Sequence, residues 1–453
     1  MKLDTLTLEN YRGFKHFTGK FEPDVNILVG LNGTGKTSLL EAISIAYGQF
    51  MSGFATSTDR GIHVSETHLA RVDIGDGEFS MEYQMPCRIA ASTKEQHNEL
   101  YPMQWERFRN SVKKNTKTTI VREQKNSAQF LQKLVQDGAN PSLPIIAYYG
   151  TDRLFNQNIG PTKKMPKLSD ASRLEGYTDW LKPRTSYGHF VNWLYHETMA
   201  SFERELEIRE QHRSGSLVKS NHFQARLDEL QQALNEVLRP SGWSNVRYSS
   251  KAGQIVATHK EQGDVPINLL SDGVRNILGL VADIAYRAIR LNPHRGKGVL
   301  KSVEGIVLVD EVDMHLHPQW QQHIVKSLQS AFPQIQFILT THSPQVLGNV
   351  PAKNIKLINQ VNEGCFDLER PAQSYGLSSN DILDEVMNTG EISEQLSRNP
   401  DIFEKLEAIS ALISDEKYSE AEKQILQLEE EIDGEIPELV KAKLSIELAG
   451  WDD

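Results

Sequence analysis

Residues 25–37 read Val25-Asn26-Ile27-Leu28-Val29-Gly30-Leu31-Asn32-Gly33-Thr34-Gly35-Lys36-Thr37. The first five form a short, nearly continuous apolar run, as a strand buried on both faces does. The next eight fit G-x-x-x-x-G-K-[ST], a phosphate-binding loop. Glycines let the backbone curl so that successive N–H groups face phosphate oxygens. A helix is expected after Lys36, with Leu39, Leu40, Ile43 and Tyr47 on one stripe, and its positive end points at the same anion. Lys36 is suited to neutralise β- and γ-phosphates, and the Thr37 hydroxyl to bind Mg²⁺. From average residue usage, a chance match in 453 residues is on the order of one in a hundred. ATP and Mg²⁺ are therefore the expected cofactors, with Asn32, Gly33, Thr34, Gly35, Lys36, Thr37 and Ser38 around the nucleotide.

Three further stretches bear on the same chemistry. Ile306-Val307-Leu308-Val309-Asp310-Glu311 puts an acidic pair at the tip of a buried strand. Asp310 is placed to hold Mg²⁺, and Glu311 to orient or deprotonate an attacking water. Thr340-Thr341-His342-Ser343 follows another apolar run, and a histidine there can hydrogen-bond a γ-phosphate. Leu270-Ser271-Asp272-Gly273-Val274-Arg275 precedes an apolar helix. Ser271 is a suitable N-cap, and the helix start is a second anion site.

The rest of the chain is read by pattern. Apolar runs at 25–29, 144–149, 306–309 and 336–340 alternate with helical stretches, which indicates a mixed α/β core. Residues 3–9 alternate as a half-exposed strand, and 68–90 read as two or three strands broken at Gly75-Asp76-Gly77. From 93 to 143 the chain is polar and helix-prone, 155–186 read as a long loop, and two helical stretches follow near 187–211 and 220–238. Phe190, Trp193, Leu194 and Glu197 form a stripe expected to pack in the core. The expected divisions are 1–92 and 251–377 as two lobes of one head, 93–250 as a mainly helical insertion with one head strand near 144–150, and 378–453 as an acidic helical domain. Residues 381–453 carry 21 acidic and 6 basic side chains, whereas the other 380 residues carry 39 and 43. An acidic tail thus joins a slightly basic body, so overall charge does not exclude nucleic acid as a partner of that body. Cys87 and Cys365 are too few for a disulfide framework or a cysteine zinc site. The opening residues lack a secretory h-region and no stretch is long and apolar enough to span a bilayer, so a cytoplasmic protein without membrane partners is expected.

Taken in order, the four elements resemble those of ATP-binding-cassette (ABC) ATPases. The resemblance implies an α/β P-loop head that pairs with a second copy to sandwich two ATP molecules. Lys36, Thr37, Asp310, Glu311 and His342 would act in cis, and the signature residues Ser271, Asp272 and Gly273 in trans. Asp313 matches the D-loop aspartate. Asn10-Tyr11-Arg12-Gly13-Phe14 and Asp310-Glu311-Val312-Asp313-Met314-His315-Leu316-His317-Pro318 are similar to the SMC/RecF/OLD branch, which adds Arg12 to the nucleotide site. Ala147-Tyr148-Tyr149-Gly150-Thr151-Asp152-Arg153-Leu154, Arg173-Leu174-Glu175-Gly176-Tyr177 and Tyr375-Gly376-Leu377-Ser378-Ser379 resemble the PtuA ATPases of Septu anti-phage systems and their retron-associated relatives. That likeness implies a larger homo-oligomer, a separate HNH nuclease partner and no nuclease activity of the chain's own.

Asp272 and Val274 depart from the transporter signature, and an acid near a γ-phosphate would slow hydrolysis or weaken closure. For the Q-loop, Gln84 and Tyr149-Gly150-Thr151 are alternatives and the position stays open. Basic residues at Lys113, Lys114, Lys117, Arg122, Lys125, Lys163, Lys164 and Lys167 are either a solvated surface or a contact for phosphate backbones. His315 and His317 have a spacing that can ligate zinc, but Asp310 and Asp313 beside them already have nucleotide roles. The acidic tail either caps the molecule, mimics nucleic acid or docks the partner. A RecF-like DNA-repair ATPase is the alternative function, and a transporter nucleotide-binding subunit is a weaker one.

Overall fold

The computed structural model describes residues 1–75, 78–94, 102–113, 122–153, 172–213, 221–386, 400–415, 417–432, 434 and 436–449. Asp76 and Gly77 of the expected turn, Leu154, and the basic residues Lys114, Lys117, Lys163, Lys164 and Lys167 lie outside them. The chain divides into two compact units, Met1–Gly376 and Leu377–Asp453. Among the described residues, no helix is long and apolar enough to cross a membrane.

The strands are β1 (Thr5–Tyr11), β2 (Phe14–Lys20), β3 (Val25–Val29), β4 (Leu69–Gly75), β5 (Glu78–Tyr83), β6 (Cys87–Ser92), β7 (Gln104–Arg109) and β8 (Ile145–Tyr149). They continue as β9 (Trp243–Ser249), β10 (Gln254–His259), β11 (Gly263–Pro266), β12 (Gly305–Val309), β13 (Ile335–Thr340), β14 (Ile355–Asn362) and β15 (Cys365–Glu369). The main helices of the first unit are α1 (Lys36–Met51), α2 (Arg122–Gln136), α3 (Pro183–Arg213), α4 (His222–Leu238) and α5 (Asp272–Leu291).

Ten strands form one mixed sheet in the order β7-β6-β1-β2-β15-β14-β3-β13-β12-β8. The half from β14 to β8 is parallel, and β7, β6, β1 and β2 pair antiparallel. Every residue of β3, β12 and β13 is buried, which is why these strands read as nearly continuous apolar runs, interrupted only by Asn26 in β3 and Gln336 and Thr340 in β13. The residues after β3, β12, β13 and β8 all leave the sheet at the carboxyl edge of its parallel half. Ligands bind at this edge in α/β sheets. β4 and β5 form a separate two-stranded ribbon, and β9–β11 a three-stranded sheet.

The structure departs from the expected pattern at the head's edge. Among the described residues, 93–143 are not uniformly helical: β7 extends the head sheet, and α2 is the helix. Among the described residues, the segment 93–250 therefore contributes β7 as well as β8 to the head sheet, not one strand. The reason is visible in the alternation. The buried positions of β7 are Trp105, Arg107 and Arg109, and two of the three are charged. Arg107 is 1 % exposed and donates to the carbonyls of Ile45 (3.0 Å) and Arg60 (2.6 Å) and to the Asp59 carboxylate (2.8 and 3.0 Å). A buried face on which two of three positions are arginine leaves no hydrophobic period to read.

The helical parts follow the sequence more closely. Phe190, Trp193, Leu194 and Glu197 of α3 are buried, and α3 packs against α4 and α5. In the second unit, helices Pro400–Ser414, Tyr418–Ile432 and Pro437–Ala449 enclose a core of Ile409, Ala421, Ile425, Leu428, Leu439 and Ile446.

Candidate nucleotide-binding site

The loop between β3 and α1 begins the site. Gly33 and Gly35 have φ of 85° and 94°, a left-handed backbone that favours glycine. A Cβ on Gly35 would also collide with the ring of Phe14. Phe14, from the Asn10–Phe14 stretch, thus sits under the loop and sets how closely it curls. The Thr34 hydroxyl donates to the Leu31 carbonyl at 2.9 Å. Lys36 reaches back, its ammonium donating to the carbonyls of Gly30 (2.8 Å) and Leu31 (2.9 Å). Burial lowers its pKa, opposed by the charges of Asp310 and Glu311.

Asp310, at the tip of β12, is 4 % exposed and is gripped on both oxygens. The Thr37 hydroxyl donates to Oδ2 at 2.8 Å and the Thr340 hydroxyl to Oδ1 at 2.6 Å. The same Thr340 oxygen accepts from the Glu311 amide at 2.7 Å. Asp310's own amide donates to the Tyr149 carbonyl of β8 at 2.8 Å. Glu311 is half-buried with φ of 49°, a left-handed conformation uncommon outside glycine. His342 follows β13; its imidazole pKa is lowered by partial burial and then by Lys36, with Asp313, Glu311 and Asp310 opposing. The sheet edge therefore brings Lys36, Thr37, Asp310, Glu311 and His342 together.

Asp313 accepts from the Thr341 hydroxyl at 2.6 Å, which ties the loop after β12 to the loop after β13. The other side of that loop rests on α5. Asn276 donates to the Met314 carbonyl at 3.1 Å, and a Cβ on Gly273 would collide with the His315 carbonyl oxygen. Ser271 and Asp272 are exposed at the start of α5, and Asp272 pairs with Arg275. Among the described residues they share no hydrogen bond or ion pair with the Lys36–Asp310 group. The Ser271 side chain makes no capping bond. His317 caps the short helix Pro318–Gln321 through its ring nitrogen.

Arg12 lies near α1 but is engaged elsewhere. It donates to Ser38 Oγ at 3.4 Å and pairs with Glu66 at 3.2 Å and with Glu41. Arg60 joins the same two carboxylates, Glu41 at 3.3 Å and Glu66 at 3.1 Å. Burial raises the Glu41 pKa, with Arg12 and Arg60 opposing. Gln84 lies beyond β5 and its side chain donates to the Glu82 carbonyl. Tyr149-Gly150-Thr151 instead leaves β8 directly beside Asp310.

Several supporting residues carry no motif of their own. In sequence, Thr340 reads only as the start of the histidine loop. The buried Asp283 of α5 accepts from Tyr149 OH (2.6 Å) and Arg287 Nε (2.8 Å). Arg287 also donates to the carbonyls of Gly176 and Thr178. These bonds join the Ala147–Leu154 and Arg173–Tyr177 stretches through one helix, which gives both a physical purpose. The spacing Asp283–Arg287, four apart on an apolar helix, was the available signal.

A glycine cradle, a lysine, a hydroxyl against an aspartate and a following glutamate, all on one sheet edge, define a P-loop nucleotide-binding head. The chain belongs to the family described as "AAA domain, putative AbiEii toxin, Type IV TA system", matched over residues 25–348. It is 28 % identical to the "Retron Vc95 probable ATPase" of Vibrio cholerae serotype O1 biovar El Tor, across 86 % of this chain and 80 % of that one. The "Retron Ec83 probable ATPase" of Escherichia coli is 26 % identical across 100 % and 88 %. The "Septu protein PtuA" of Bacillus thuringiensis is 24 % identical across 85 % and 84 %. The likeness read from the motifs is thus one of homology with retron and Septu ATPases. Among solved structures, an SMC head bound to the C-winged helix domain of ScpA aligns at 13 % identity and a TM-score of 0.46, covering 82 % of this chain and 97 % of that one.

Proposed function

We propose that the chain hydrolyses ATP in a homodimeric sandwich and, as the ATPase subunit of a Septu-like anti-phage complex, controls a separate HNH nuclease. The observation that carries the hydrolytic part is Asp310, gripped by Thr37 from the phosphate loop and by Thr340 from β13. A carboxylate and a hydroxyl at 2.8 Å, at the mouth of a glycine loop, form an oxygen donor set that fits Mg²⁺. Bound there by Thr37 and Asp310, the ion supplies neutralisation of phosphate charge. Lys36 would turn from the Gly30 and Leu31 carbonyls to phosphate oxygens by rotation of its stem. The amides of residues 32–38 would line the rest of the anion cradle, Thr34 by turning its N–H from the Leu31 carbonyl, and Arg12 would join them only by leaving Glu41 or Glu66. Glu311 would accept a hydrogen bond from the attacking water, and His342 would donate to the γ-phosphate.

The exposure of Ser271 and Asp272, apart from this group, supports a role in trans. Ser271 and the α5 N-terminus would face the nucleotide of a second copy, and Asp313 would lie between the two. The Asp272–Arg275 pair supports the view that the acid in the signature is neutralised locally rather than set against phosphate. Higher assembly, cytoplasmic location, the absence of intrinsic nuclease activity and the HNH partner rest on homology to PtuA and the retron ATPases.

The test is phosphate release by the purified chain with Mg²⁺-ATP. Lys36→Ala should lose nucleotide affinity. Glu311→Gln should bind ATP, slow turnover by about two orders of magnitude and accumulate as a dimer on size exclusion. Unchanged turnover in Glu311→Gln would remove the assignment of the base. Co-expression with an adjacent HNH gene tests the partner, and failure to co-purify with or without ATP would sink that part alone.

A further inference from the structure

Arg153 lies four residues past β8 and is 1 % exposed, among the largest fully buried side chains. Among the described residues, its guanidinium bonds only to main-chain carbonyls. One terminal nitrogen donates to Gly150 at 3.0 Å and to Asp310, and the other to Glu311 at 2.5 Å. Enclosing a guanidinium without a bonded carboxylate is costly. Burial depresses its pKa, while Tyr187, Asp310, Glu311 and Asp313 oppose that depression.

The carbonyls it gathers identify what that cost secures. They belong to the ends of two neighbouring strands, β8 and β12, at the point where Glu311 adopts φ of 49°. In an extended strand, Glu311 would point to the face opposite Asp310. The left-handed residue breaks that alternation and sets the direction of the Glu311 carboxylate. The turn is fixed at both ends of the residue. Thr340 takes the Glu311 amide at 2.7 Å, while the Glu311 carbonyl accepts from Arg153 and from the Met314 amide at 3.0 Å. A planar fork presents two nitrogens in fixed geometry to carbonyls of two strands at once, whereas a lysine offers a single nitrogen on a flexible stem.

We propose that Arg153 is a positioning residue for hydrolysis: it clamps the Asp310–Glu311 backbone so that Glu311 faces the attacking water. This rests on the proposed hydrolytic role of Glu311. Arg153 acts through Glu311 and touches no substrate, so removing it should cost turnover and spare binding.

The test uses the full chain as Arg153→Met, Arg153→Lys, Glu311→Gln and the double variant Arg153→Met/Glu311→Gln. Nucleotide affinity is read with a fluorescent ATP analogue, turnover by phosphate release, and folding by thermal unfolding. Arg153→Met should keep ATP affinity within about twofold and lose about 10²-fold in kcat, the loss expected when a reacting group shifts by about an ångström. Arg153→Lys should recover only part of that loss. In the Glu311→Gln background, adding Arg153→Met should lower kcat no further. A kcat near wild type in either Arg153 variant overturns the proposal, as does a double variant whose losses multiply. If Arg153→Met does not fold, Arg153→Lys carries the same comparison. A wild-type chain that binds ATP and never hydrolyses it overturns the hydrolytic reading and this one together. Wild-type turnover that needs Glu311 but not Arg153 overturns this one alone.

Discussion

Thr340→Val removes one hydroxyl while keeping the shape of a buried, β-branched side chain at the end of β13. That hydroxyl donates to Asp310 Oδ1 at 2.6 Å and accepts from the Glu311 amide at 2.7 Å. Thr340 is 1 % exposed, so water does not replace either bond. A hydrogen bond to a charged group contributes about 1.5–3 kcal/mol, and an orphaned buried amide costs about 1–3 kcal/mol. Because one atom serves both bonds, the two losses overlap, and a net loss of about 3 kcal/mol follows. Thr340→Ser keeps both bonds and gives up one buried methyl, worth about 1 kcal/mol. Urea unfolding followed by tryptophan fluorescence reads this directly, since Trp105 and Trp180 are buried in the first unit. ATP turnover should fall at least about tenfold in Thr340→Val and much less in Thr340→Ser, because only valine frees the Glu311 amide. If valine and serine variants unfold within about 0.5 kcal/mol of each other and turn over alike, the hydroxyl does not hold the acidic pair. The order at Asp310 and Glu311 would then have to come from Thr37, Arg153 and the strand ends alone.

Arg107→Met should destabilise the first unit by about 2–3 kcal/mol in the same unfolding assay, because the carbonyls of Ile45 and Arg60 lose their donor, while the exposed Asp59 is rehydrated. Gly273→Ala should leave ATP binding by the single chain unchanged but lower turnover, since its Cβ displaces the His315 carbonyl and with it the loop carrying Asp313; equal turnover would separate α5 from that loop. His342 has its pKa lowered on folding, so as pH drops through the ordinary histidine value the unfolded chain takes up a proton that the folded chain resists. Stability should therefore fall between about pH 7.5 and about pH 5.5, and the fall should be smaller in His342→Gln, as measured by thermal unfolding at both values.

What the sequence revealed and what it hid divide along a physical line. Lys36, Thr37, Asp310, Glu311 and His342 were legible because each stands at the end of an apolar run, where a short contiguous pattern fixes both strand and loop. Their supports were not, because each acts over a long sequence separation. Phe14 shapes the loop at Gly35, Thr340 grips Asp310 30 residues away, and Arg153 reaches Glu311 across 158. None of these contacts has a local period. The same reason hid β7, whose core positions are held by Arg107 and Arg109. Charged side chains that are buried look like surface when read along the chain.

Contact residues and their supports also differ in what they control. In the proposed site the phosphate-loop residues would contact nucleotide directly, and phosphate chemistry accounts for their types. The residues behind them decide whether the acidic pair is in place when ATP arrives. Thr340 belongs to the strand that leads to His342, Arg153 to the loop beside β8, and Asn276 and Gly273 to the helix that Ser271 precedes. Each of three elements thus holds one side of the Asp310–His315 segment. In the proposed sandwich, a second copy pressing on α5 through Ser271 would reach Glu311 through Met314 and His315, which α5 contacts, without passing through the nucleotide. Control of hydrolysis by assembly, if the proposed function holds, would require no added domain, because one loop is shared by the signature helix, the histidine strand and Arg153.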